Sequence, residues 1–206
     1  MRIRNGLGTK VVVAVFALAW VSAVGAGLRA LQQYTQTPGR LAKPSLQWPA
    51  IVPIERSPGH FQLVVFAHPR CPCTRATMGE LEWVMTHGNG KLDTTVYFYA
   101  PTGAKEQWLQ TDMWRSANAI PRVTSFLDPD GQMARQFGAS TSGQTLLYDY
   151  EGRLVFNGGI THSRGHSGSN NGRDSILALI SGGAPRQTRT PVFGCSLLGE
   201  SEERNR

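Results

Sequence analysis

The sequence contains no run of like charges, no internal repeat, no Ser-His-Asp order and no glycine-rich phosphate loop. Without a repeat, its 206 residues amount to one domain with a proper core, plus a leader and a tail. Acidic residues are missing from positions 1–30, where Arg2, Arg4, Lys10 and Arg29 stand alone. Between 45 and 182, 11 basic and 11 acidic side chains cancel, so the net charge of +7 sits at the two ends. That distribution gives no phosphate-tracking face and argues against a nucleic-acid partner. "DPDG" (128–131) lacks the spaced acids and terminal Glu of a calcium loop and reads as a turn. Cysteine is scarce, with only Cys71, Cys73 and Cys195, so at most three pairings exist.

What is present begins with an apolar leader. "VVVAVFALAWVSAVGAGL" (11–28) is an uncharged stretch of 18 residues behind a basic start. Its length reaches the lower limit for a bilayer-crossing helix, roughly 17–25 residues. Basic residues ahead of it favour an N-inside orientation that exports the downstream chain. The run exceeds a signal h-region of about 7–15 residues, so an uncleaved anchor over 1–30 is expected. A secretory signal cut near "AVGA" is the competing reading. In both, the domain beyond the leader meets an oxidising, extracytoplasmic space. Residues 31–49 are polar, proline-bearing and without a period, which predicts a linker.

From about residue 50 the pattern alternates between element types. "FQLVVFA" (61–67), "TTVYFYA" (94–100) and "RVTSFLD" (122–128) read as strands. Residues 73–85 have apolar side chains near helical spacing, and 104–120 place Trp108, Leu109, Met113 and Trp114 as a helical stripe. A short helix at 131–138 closes on Gly138, and 145–159 form a hairpin with Gly152 in the turn. An amphipathic helix over 173–183 ends the expected domain at 50–183. The order predicts a compact α/β sandwich. The three tryptophans Trp83, Trp108 and Trp114 fit core or helix–sheet packing better than a ligand box. In the tail, 184–206, an apolar island "TPVFGCSLL" holds Cys195.

The chemistry centres on "FAHPRCPCTRAT" (66–77). Cys71 and Cys73 come after a strand and stand where a helix starts, and unpaired N–H groups there stabilise a thiolate. Arg70 and Arg75 are expected to act in the same direction. Cys71 and Cys73 could pair across a strained small ring. Alternatively, Pro191, Val192, Phe193 and Leu197 could dock the tail and bring Cys195 to either thiol. Asp149 belongs to the hairpin turn, away from the thiols.

This stretch resembles the active-site segment of membrane-tethered thioredoxin-like thiol–disulfide oxidoreductases of the TlpA type. It is also similar to the RedB-like group of thioredoxin-like proteins. The resemblance spans roughly 55–182 and implies a three-layer α/β/α thioredoxin-like sandwich behind a membrane helix. Cys71 matches the nucleophilic cysteine and Pro72 its following proline, while Thr74 takes the place of the resolving cysteine. The residues expected to carry exchange are thus Cys71, Cys73 and Cys195, supported by Arg70, Arg75, Thr74 and Gln144. The family's groove-shaping proline should fall at Gly143 or Gln144, yet no proline occurs between Pro129 and Pro185. The implied partner is a protein thiol or disulfide at the periplasmic side of the inner membrane, and the chemistry needs no cofactor. A peroxidase is disfavoured, because Thr74 comes after the cysteine instead of preceding it. A thioredoxin-fold copper chaperone is the alternative, with Cys71, Cys73 and His68, His162 or His166 as soft and imidazole donors. A structural disulfide is the plainest reading.

Overall fold

In the computed structural model, the described residues are 6–52, 54, 56–104, 108 and 111–198. They form two units, divided between Gln36 and Thr37. The first is a single helix, α1 (Gly6–Gln36), of 31 residues. At 1.5 Å per residue it is about 46 Å long, more than a hydrocarbon core of about 30 Å. Its apolar side chains, Val11 to Leu31, are exposed, so no protein core accounts for them. The helix continues six residues beyond the expected end of the anchor.

The second unit contains β1 (Phe61–Ala67), α2 (Pro72–His87), β2 (Leu92–Ala100), α3 (Asp112–Ala119) and β3 (Val123–Pro129). It continues with α4 (Gln132–Phe137), β4 (Thr145–Tyr148), β5 (Leu154–Gly158) and α5 (Asn171–Ile180). The strands form one sheet in the order β3-β2-β1-β4-β5. Strand β1 is parallel to β2 and antiparallel to β4, and β3 extends the parallel side. Of the expected helix over 104–120, residues 105–107, 109 and 110 lie outside the described residues, Leu109 among them.

Alternation of side chains sorts the central strands onto two faces. Leu63, Val65 and Ala67 of β1 pack with Val96 and Phe98 of β2 beneath α2, α3 and α5. Val64, Phe66 and Tyr97 face the other way, against Ala134 and Phe137 of α4 and the Trp48 ring. The fold is therefore a three-layer α/β/α sandwich of thioredoxin-like arrangement. Strand β1 is buried on both faces, which is why it reads as a continuous apolar run. Trp114 tilts on Phe98, and Trp83 lies under the Arg173 guanidinium, so both serve in packing.

The polar stretch expected to be a linker is fixed to this unit from residue 39 onward. Gly39 N–H donates to Val192 O at 2.7 Å, Ser45 N–H to Phe137 O, and Trp48 N–H to Gly152 O. Trp48 also meets Phe137 and Tyr148 edge-on. Irregular backbone pairing holds this segment, and such pairing leaves no hydrophobic period to read.

The tail is likewise part of the domain. Val192, Leu197 and Leu198 are buried, and residues 188–190 run beside β5 through Asn157 N–H···O Thr188 at 2.9 Å. Gly158 and Gly159 allow this approach, since a Cβ at either would stand within 2.5 Å of tail backbone or Thr190.

Candidate functional site

Strand β1 ends at Ala67, and its last turn delivers Cys71 to the start of α2. Cys71 is the N-cap residue, in extended conformation, with Pro72 preset for the first helical position. The sulfur makes no capping hydrogen bond of standard geometry. The residue is 1% exposed, and Cys73 in the first turn is 6% exposed.

Beside them lies the loop ahead of β4. Ser142 Oγ accepts from His68 N–H at 2.7 Å and is 2.5 Å from Thr74 Oγ1. Ser142 thereby ties the end of β1 to the start of α2. Gly143 has φ +89, a conformation costly for other residues, and its N–H donates to Phe66 O at 2.7 Å. Here the structure departs from the expected role of Gln144. Its side chain is fully buried, donating to Asn157 Oδ1 and accepting from Ser140 N–H, so it braces the loop from behind.

The tail crosses this loop as a short antiparallel bridge, Thr141 opposite Ser196. Ser142 N–H donates to Cys195 O at 2.8 Å, and Leu197 N–H to Ser140 O at 2.9 Å. The result brings Cys195 Sγ to 3.0 Å from Cys71 Sγ. Both are free thiols in hydrogen-bond contact, well beyond the covalent S–S length of about 2.05 Å. Of the three possible pairings, this contact joins the two cysteines most distant in sequence.

Electrostatics divides the thiols. Burial pushes Cys71 up, but the Cys195 thiol, the Thr74 hydroxyl and the backbone N–H groups of both residues outweigh it. The net effect lowers Cys71 from 9.0 to about 7. Burial raises Cys195 to about 12, reinforced by its hydrogen bond to Cys71. Cys73 is raised by burial and by the neighbouring Cys71 charge, with Arg164 opposing.

The expected cations stand elsewhere. Arg70 places its guanidinium 3.9 Å over the Trp108 ring, and Arg75 pairs with Asp112 at 2.7 Å. A helix start directs neighbouring side chains to different faces, so nearness in sequence does not aim these two at the sulfur. The cation at the site is Arg164, whose side chain meets Cys73 and donates to Gly194 O at 2.7 Å and Thr37 O at 3.1 Å. It comes from the glycine- and serine-rich stretch 158–174, where no periodicity marks it.

That stretch is anchored by a buried ion pair. Glu80 of α2, 3% exposed, accepts from Gly168 N–H at 2.5 Å and from Arg173 at 3.0 Å. His162 and His166 point to solvent, and His166 Nδ1 contacts Arg164 O. His68 stacks on Tyr99 and is lowered by burial and then by Arg70. Among the described residues, no three Cys, His, Asp or Glu side chains are grouped to hold a metal ion. Asp149 accepts from Arg153 in the hairpin turn, as its register implied.

No family model matches the chain, and no curated protein matches it in sequence. Solved structures do. It is similar to a hypothetical protein of Sinorhizobium meliloti 1021, with TM-score 0.57 and 19% identity over 81% of this chain and 99% of that one. It is also similar to an uncharacterized conserved protein of Geobacillus kaustophilus, with TM-score 0.56 and 16% identity over 80% and 93%. A secreted Mycobacterium tuberculosis disulfide oxidoreductase homologous to E. coli DsbE gives TM-score 0.42 and 14% identity over 61% and 83%. At such identities the likeness concerns the fold alone.

Proposed function

We propose that this chain is a membrane-anchored thiol–disulfide exchange protein whose redox couple is Cys71 and Cys195. The observation that carries the reading is the 3.0 Å contact between two sulfurs, one on a helix cap and favoured as a thiolate, the other held in the tail. A thiolate beside a second thiol is the arrangement from which a disulfide forms and breaks. Arg70 and Arg75 have no part in it, whereas Thr74 acts as a donor to Cys71 and Arg164 as the local cation.

The exchange domain faces the extracytoplasmic space, in keeping with the basic residues ahead of α1. Oxidation with diamide, then digestion and mass mapping, is expected to yield Cys71 linked to Cys195, with Cys73 free. Thiolate absorbance in the Cys73→Ser chain is expected to rise near neutral pH. A Cys71 that ionises only at or above the ordinary value of 9.0 removes the mechanism. Copper carriage, the rival chemistry for two thiols, is separated by equilibrium dialysis with Cu(I) against a competing chelator. Tight binding lost in Cys73→Ser would favour it. A structural disulfide predicts stability loss on reduction with no turnover of small disulfides.

A further inference from the structure

Cys71, the thiol best suited to be an anion, is almost inaccessible, and the tail is what covers it. The covering segment is not loosely laid. Val192 is fully buried, Leu197 and Leu198 nearly so, and Gly39, Ser142 and Arg164 each donate to tail carbonyls. Gly194 lies so close to the loop that a Cβ would stand 1.8 Å from Ser142 O. A cover fixed at so many points stays in place while small thiols and protein thiols arrive. Cys195 itself is half-buried, and the next residue, Ser196, is exposed.

We propose that Cys195, not Cys71, is the sulfur that partners touch, with Cys71 serving as the sheltered leaving group of the oxidised centre. This rests on the exchange reading above and specifies which atom the substrate meets. In the oxidised chain a partner thiolate attacks Cys195 Sγ. A bond forms between the partner sulfur and Cys195, the Cys71–Cys195 bond breaks, and Cys71 leaves with the electron pair as a thiolate. A second thiol of the partner then attacks the partner sulfur of the mixed disulfide and expels Cys195, which takes up a proton. The partner dithiol is oxidised to a disulfide, and the chain is reduced by two electrons.

The direction is set by the same geometry. In the reduced form the two sulfurs are 3.0 Å apart, and with Cys71 ionised the Cys195 thiol is the donor to it, a contact that stabilises the reduced form. Stabilising the reduced form makes a disulfide an oxidant, and a leaving thiol of lower pKa departs faster. The partner class is therefore a protein dithiol that becomes oxidised. Arg164 at this mouth favours the approach of an anionic thiol.

The test uses the full chain carrying Cys73→Ser, so that only the two sulfurs of the couple can react. The diamide-oxidised protein is mixed with excess glutathione, quenched in acid, alkylated and mapped by mass spectrometry. The expected early product carries glutathione on Cys195 and alkylation on Cys71, in at least tenfold excess over the reverse. Glutathione found chiefly on Cys71 overturns this inference and leaves the exchange reading standing. Failure to form any Cys71–Cys195 disulfide overturns the exchange reading, and this inference with it.

Discussion

Replacing Cys195 by alanine removes the thiol donor that faces Cys71, while serine at that position keeps a donor of similar reach. Moving Cys71 from 9.0 to about 7 favours its thiolate by about 3 kcal/mol. Burial opposes that shift, so the four donors together supply more than the net amount. A hydrogen bond to a charged group contributes about 1.5–3 kcal/mol, and the lower end suits a sulfur donor. Cys195→Ala is therefore expected to lower the acid constant of Cys71 about tenfold. Near neutrality, the thiolate fraction falls from about half to about a tenth. Alkylation rates are a poor readout, because the less acidic thiolate is intrinsically about threefold more nucleophilic and masks most of the loss. The suitable assay is ultraviolet titration of thiolate absorbance, in a Cys73→Ser background so that Cys71 is read alone. Cys195→Ser should titrate close to the parent, and Cys195→Ala well above it. Equal midpoints for the two variants would refute the idea that the tail thiol sets the ionisation of Cys71.

Four further outcomes are expected. Arg75→Gln should leave the Cys71 titration unchanged, since Arg75 is engaged with Asp112, whereas Arg164→Gln should slow disulfide formation on diamide by releasing Gly194. Gly194→Ala should cost about 2 kcal/mol or more in urea unfolding and lower the yield of Cys71–Cys195 disulfide, because no Cβ fits against Ser142 O. Stability of the reduced protein should rise with pH through the neutral to mildly alkaline range. The folded Cys71 is depressed to about 7 against 9.0 unfolded, so its contribution is lost as pH falls through 7 and grows up to 9.0, above which the raised Cys195 and Cys73 act in the opposite direction. The gain should reach roughly 2 kcal/mol between about pH 6 and about pH 9 and be absent in Cys71→Ser, as read from urea midpoints at those two values.

The layered sheet was legible because each strand and helix advertises its own period. Gly138 in a left-handed cap and Gly152 in the hairpin turn also sit where the sequence puts them. Cys71 at a helix start was equally readable, since Pro72 can take the first helical position and little else there. The docked tail could be anticipated from its apolar island, though its partner thiol could not, because three pairings were open. Two features were out of reach. Arg164 is one arginine in a flexible-looking stretch, and that stretch is held near the thiols by distant partners, among them Glu80, which pairs with Arg173 93 residues away. Arg70 and Arg75 flank the cysteines but are claimed by Trp108 and Asp112, and such competition between partners leaves no trace in local spacing.

The two sulfurs of the centre are 124 residues apart in the chain. A growing polypeptide therefore exposes Cys71 and Cys73 side by side long before Cys195 has been made. During that interval the intrachain disulfide open to the chain is the strained small-ring one between Cys71 and Cys73. Only once the tail has been made can Cys195 take its place beside Cys71, and a chain cut before Gly194 would leave Cys71 without its cover.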